Sequence, residues 1–199
     1  MGFDAVFMAR IEETDKAARA RNQELEWIHK PYRGEETQIF AHAFSGELYR
    51  APPGFNFDEG STDSEWINDQ KSKGYNAPSR AKSLLNHLRD KASKYRTDDL
   101  LVLFGDDFAY SNASRNYENM DRMIEYMNEH HSDEFVLQYS TPSDYIDKVK
   151  EYDIDWPTAE DDLYPYHDFR TSYWTGFYTS RPLLKQQIKK LSQHLRASS

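Results

Sequence analysis

DDLLVLFGDDFAYSNA (residues 98–113) is the stretch on which the reading of this chain turns. An apolar run, residues 100–104, ends at Gly105 and is followed at once by Asp106, Asp107 and the aromatics Phe108 and Tyr110. A short apolar run bounded by a glycine reads as a buried strand, and in proteins that alternate strands with helices the chemistry gathers at the C-terminal ends of the strands. Two adjacent carboxylates in such a place cannot both ionise freely, so one is expected to hold its proton toward neutral pH, as a general acid must. The plainer alternative, about as well supported by the local sequence, has one aspartate capping the following helix and the other facing solvent.

Outward from this stretch the chain alternates. Residues 2–9 form a continuous apolar run of strand type, and residues 12–30, rich in Ala, Arg and Glu, predict a helix that stops at Pro31. Residues 37–44 predict a second strand, and residues 45–65 a long loop full of Gly, Pro, Ser and Asp, a length often tied to function. Pro78 opens a helix with Leu85, Leu88, Ala92 and Tyr95 on one face; residues 99–104 are the strand described above. Tyr117, Met120, Ile124 and Met127 repeat the helical spacing, residues 134–139 predict another strand, and Thr141 with Pro142 starts a further helix. Leu184, Ile188, Leu191 and Leu195 make a narrow stripe of the kind used in helical bundles. This alternation predicts an α/β protein with parallel strands and crossover helices, as a barrel or an open wound sheet. Opening on a buried strand and closing on a lone bundle-type helix, the sequence reads as a fragment of something longer.

Composition narrows the function. The chain has 199 residues, 38% hydrophobic and 15% aromatic, enough for one real core. Its net charge of −9, with no basic cluster, argues against nucleic acid as a partner. There are no cysteines, so disulfides and thiolate metal sites are excluded, and no apolar stretch reaches membrane-spanning length. None of the seven histidines stands in an H-x-H or H-x-x-x-H pattern, and the pair His130–His131 suits a helix C-terminus. Residues 165–182, PYHDFRTSYWTGFYTSRP, combine six aromatics with Asp168 and two arginines. Aromatic faces beside charged groups suit a sugar, whose CH-rich face stacks while its hydroxyls are hydrogen-bonded; a packing corner between domains is the commoner use of such a stretch. Arg10, ending the first strand, suits a ligand carboxylate or hydroxyl, or more ordinarily a salt bridge.

MGFDAVFMAR, GDDFAYSNA, NMDRMIEYMN, YSTPSDY and DDLYPYHDFRTSYWTGFYTSRP, in this order and spacing, resemble the α-mannosidases of glycoside hydrolase family 38, the lysosomal and Golgi type. The resemblance runs along essentially the whole chain and is weakest over residues 45–65. It implies a retaining, zinc-dependent glycosidase that hydrolyses α-mannosidic bonds in N-glycan-type oligosaccharides. It also implies a seven-stranded β/α barrel followed by an α-helical bundle, with residues 1–165 belonging to a partial barrel and residues 166–199 beginning the bundle. By the same resemblance Asp107 is the general acid/base. Asp106 at most assists substrate binding, Trp174 lines the subsite of the mannose being cleaved, Asp168 lies near that sugar, and Arg10 stands beside the nucleophile. His167 replaces an alanine usual in the family and is not expected to be a ligand. The family's zinc-binding H-x-D pair and its nucleophilic Asp match positions before Met1, and its H-H-D segment matches positions after Ser199. The resemblance therefore implies zinc in the complete enzyme but no ligands for it here, an isolated chain that is inactive, the rest of its own polypeptide as partner, and residence in the lysosome, the vacuole or the secretory lumen. A non-catalytic mannoside-binding or decayed derivative of the same domain is the alternative.

Overall fold

A computed structural model describes residues 2–30, 37–46 and 48–198. Its elements run β1 (Ala5–Met8), α1 (Glu13–Asn22), β2 (Glu26–His29), β3 (Ile39–Ala43), α2 (Ala77–Ala92), α3 (Ala113–His130), α4 (Pro142–Lys150), β4 (Thr158–Ala159) and α5 (Pro182–Ser198). The strands form one four-stranded sheet in the order β1-β3-β2-β4. β1 pairs parallel to β3 with Val6 opposite Ala41, whereas β2 pairs antiparallel to β3 with Trp27 opposite the same Ala41. The fold is thus mixed α/β, and its sheet is mixed, not all-parallel as expected. The connection from His29 to Ile39 is too short for a crossover helix, so the chain must reverse between β2 and β3.

The helix expected over residues 12–30 ends early. Gln23 takes a left-handed conformation (φ 57°, ψ 43°), and its N–H turns back to the carbonyls of Ala20 and Arg19, closing α1. Beyond it Leu25, Glu26 and Trp27 are all buried, as on a strand covered on both faces. The stop expected at Pro31 lies outside the described residues. The later helices keep their expected places. α4 is closed by a capping box in which Thr141 Oγ1 accepts from the Asp144 N–H and Asp144 accepts from the Thr141 N–H.

Residues 99–104 and 134–139, expected as strands, form no regular element and pair with no strand among the described residues. Their side chains divide between faces as a strand's would: Val102 and Phe104 pack on the α2/α3 core, Leu100 beneath the sheet, and Leu101 against Tyr145 and its neighbours. The backbone of Leu137 is satisfied by a side chain instead of a ladder, with Asn128 accepting from its N–H and donating to its carbonyl, both at 2.8 Å. Apolar alternation thus sets which way these side chains point, while ladder formation needs a neighbour that alternation does not specify.

The loop of residues 45–65 builds part of the core. Phe55 and Phe57 are buried with Trp66 against Leu84, Leu88, Met120, Met123 and Met127 of α2 and α3. Arg80 lies across these rings, 4.7 Å from the Phe55 centroid, and donates to the Gly54 carbonyl at 2.9 Å. α5, by contrast, buries none of its residues, and its leucine stripe is exposed.

Candidate active site

Gly105 ends the extended run where the loop of residues 49–51 crosses it. The Ala51 N–H donates to the Gly105 carbonyl at 3.1 Å, and a Cβ at residue 105 would lie 3.1 Å from the Tyr49 carbonyl, so the close crossing favours glycine. The two aspartates then part. Asp106 turns onto its own loop, accepting from the Asp107 N–H at 2.8 Å and from Arg50 Nε at 3.3 Å. Asp107 is exposed and accepts from the Tyr49 hydroxyl through Oδ1 at 3.0 Å. Neither caps α3, whose N-cap position is Asn112, so the capping alternative does not hold.

The loop after Asp107 is strained and held. Phe108 and Tyr110 have φ of 60° and 66°, a region costly for large side chains and often found at functional sites. Asp58 fixes it from the long loop, accepting from the Tyr110 N–H at 2.7 Å and from Asn116 at 2.9 Å, while the Tyr110 hydroxyl donates to the Phe104 carbonyl at 2.6 Å.

Arg10, just past β1, joins this loop to the aromatic stretch. Its Nη2 donates to the Tyr49 hydroxyl at 3.5 Å, and its guanidinium lies 5.6 Å from the Tyr49 ring and 5.2 Å from the Trp174 ring. The bond from Tyr49 is the main reason the Arg10 pKa is raised, with the neighbouring Tyr166 and Tyr178 adding to it and partial burial opposing it. Trp174 is fixed by its N–H to the Tyr166 carbonyl at 3.1 Å and by ring contact with buried Tyr166 at 5.5 Å. Burial is also what raises the Tyr166 pKa most. Tyr49 therefore links Arg10 to Asp107, Trp174 joins them through the Arg10 guanidinium, and Asp106 adjoins them through Arg50. Asp168 stays within its own turn: its side chain bonds first to Ser172 and then to Trp174, and the Ser172 bond does most to lower its pKa.

A carboxylate behind this stretch anchors it. Glu12 accepts from the Asp15 N–H at 2.5 Å to start α1 and contacts His167 across the chain. Partial burial would raise the Glu12 pKa, but the bonds from the Asp15 N–H, His167 and Thr14 together outweigh it and hold the pKa at about 2. Because the folded value lies below the ordinary 4.5, Glu12 stabilises the fold fully above that value and loses this contribution as pH falls toward 2. Thermal unfolding of Glu12→Gln should accordingly show a shallower loss of Tm between about pH 5 and pH 2 than wild type. Parallel curves would refute this role.

Tyr49, Arg50, Asp58 and Tyr166 escaped the sequence reading as individual residues; the only signal for the first three was the unusual length of their loop. Among the described residues no group of three or more His, Asp or Glu side chains is placed to hold a metal ion. His42 is buried against Glu26 at 3.0 Å and His167 contacts Glu12, so neither of these two histidines is set for a zinc ion.

A carboxylate, an arginine and a tryptophan are thus linked at the end of an apolar run in a mixed α/β frame. The chain belongs to the family described as Glycosyl hydrolases family 38 N-terminal domain, which it matches over residues 1–169. It is 37% identical over 193 residues to the lysosomal alpha-mannosidase of Dictyostelium discoideum, covering 96% of this chain and 19% of that protein. It is 32% identical over 191 residues to the lysosomal alpha-mannosidase of Cavia porcellus, covering 94% of this chain and 19% of that one. To an alpha-mannosidase of Canavalia ensiformis it is 34% identical over 200 residues, covering 100% of this chain and 20% of that protein. The chain thus spans about a fifth of the length of these relatives.

Proposed function

We propose that this chain is part of a retaining α-mannosidase acting on N-glycan-type oligosaccharides, and that Asp107 is its general acid/base. The carrying observation is the bonded series Arg10–Tyr49–Asp107, with the Arg10 guanidinium against the Trp174 ring, in a member of family 38. In this reading Trp174 stacks on the mannose being cleaved, and Arg10, held between two rings, presents its charge to the sugar hydroxyls. The Tyr49 hydroxyl orients the Asp107 carboxyl group. Asp107 donates its proton to the departing glycosidic oxygen, then takes one from the water that releases the sugar. Asp106, bonded to Arg50, acts as a binding group at most, and Asp168 holds the Trp174 turn near the sugar.

The nucleophile and any zinc would come from polypeptide outside these residues, and no step here is assigned to a metal. The 199-residue chain is therefore inactive by itself. Residues 1–165 fit a segment of a seven-stranded β/α barrel, with residues 99–104 and 134–139 gaining strand partners from the rest of the polypeptide. Residues 166–199 fit the start of a helical bundle, which agrees with the exposed apolar stripe of α5. The names of two relatives favour a lysosomal or vacuolar compartment. No helix among the described residues is long and apolar enough to cross a membrane.

The test is a chimera in which these 199 residues replace the matching fifth of the Dictyostelium discoideum relative. It should hydrolyse an aryl α-mannoside and release the α-anomer first, as seen by NMR, while the isolated chain shows no turnover. A cooperatively folded chimera without α-mannosidase activity, or one releasing the β-anomer, would overturn the reading.

A further inference from the structure

Beside the Asp106–Asp107 loop a groove of about 910 Å³ opens between residues 98–104 and 134–151, floored by aliphatic side chains of α2 and α3. One end differs from the apolar floor. There Tyr110, Tyr117 and Tyr139 stand in a staggered wall, with ring centroids 5.7 Å apart between the first two and 6.1 Å between the last two. Tyr117 and Tyr139 remain 50% and 54% exposed, although aromatic rings of this size gain by burial. Asp121, one helical turn after Tyr117 on α3, accepts from the Tyr139 hydroxyl at 2.8 Å. Burial, and after it the bond to the Asp121 carboxylate, raises the Tyr139 pKa, so this phenol keeps its proton and its donor.

We propose that this tyrosine wall is a second sugar-binding subsite, which takes a neutral pyranose unit of the oligosaccharide beyond the one being cleaved. It rests on the reading of the chain as an α-mannosidase segment. Open tyrosine faces suit the CH-rich face of a pyranose, and Asp121 and the tyrosine hydroxyls supply acceptors and donors for its hydroxyls. An anionic ligand would meet Asp121 and a chain of net charge −9, and a wholly apolar one would leave the phenol and carboxylate groups unmatched. Continuity with the reacting site comes through Tyr110, three residues past Asp107 in the same held loop.

The probe is α-1,6-linked mannotriose titrated into the 199-residue chain, with Tyr ring and Trp indole signals followed by NMR and glycerol as the polyol control. Saturable, millimolar-range shifts of Tyr117 and Tyr139 are expected with mannotriose and not with glycerol. Tyr117→Ala should weaken the Tyr139 response about 5- to 10-fold while leaving the Trp174 response unchanged. Asp121→Asn, which keeps the shape, should weaken it by a smaller factor. Shifts at Trp174 with none at Tyr117 or Tyr139 would remove the second subsite and leave the proposed function standing. Silence at all of them would count against both. Equal shifts with glycerol, or shifts with an extended apolar peptide but not with mannotriose, would overturn the sugar assignment.

Discussion

Asp107→Asn, carried in the chimera, should lower kcat/KM on mannosides with poor leaving groups about 10²- to 10⁴-fold, the range for a lost general acid/base. The asparagine still accepts from the Tyr49 hydroxyl, which now reaches Asp107 Oδ1 at 3.0 Å, so the loop and the KM should change little. What disappears is a proton that can leave and return. A substrate with a strongly acidic leaving group needs no such proton to depart, so the first step should be spared and a burst of product should precede slow hydrolysis of the intermediate. The parallel Asp106→Asn change should cost far less, because Asp106 is committed to Arg50 and its own loop. Equal losses for the two variants, or a loss independent of leaving group, would move the acid/base role away from Asp107.

Trp66→Ala should produce the largest stability change of any single substitution in the long loop. Trp66 is wholly buried, packed 6.3 Å from the Phe55 ring and 5.8 Å from the Tyr126 ring, with Nε1 donating to Asn68. Its backbone N–H also donates to Asn119 of α3 at 2.7 Å, so the residue ties loop to helix twice. Truncating such an aromatic costs about 3–5 kcal/mol, against a total of about 5–15 kcal/mol for an ordinary domain. Urea unfolding of the 199-residue chain should show that drop, and Trp66→Phe should recover a good part of it. A loss under about 1 kcal/mol would mean that the loop is not part of the cooperative core.

Tyr49 and Trp66 show where reading a sequence stops. Both sit in or beside a loop whose polar, glycine-rich composition reads as surface, yet one reaches Asp107 and the other fills the core between α2 and α3. Nothing in local periodicity distinguishes them from their neighbours, because their partners lie more than fifty residues away along the chain. Asp58 is similar: an ordinary loop aspartate that holds Tyr110 and Asn116 from the same distance.

The sequence by itself determined what depends on neighbours a few residues apart. That covers α2 and α3 with their apolar faces, α4 with its Thr141 cap, the placing of Asp106 and Asp107 just past an apolar run, and the motifs that mark family 38. These follow from helical spacing, capping chemistry and motif order, all written within short windows. The tertiary structure decided the rest. It ended α1 at Gln23 and made β2 from residues that composition had given to a helix, because Leu25 and Trp27 gain more from burial beneath the sheet than from continuing a helix. It left residues 99–104 and 134–139 without strand partners among the described residues, and it threaded Arg10 between Tyr49 and Trp174. Strand pairing and site assembly are choices of partner across the whole chain, and the energy that makes them is long-range burial and hydrogen bonding.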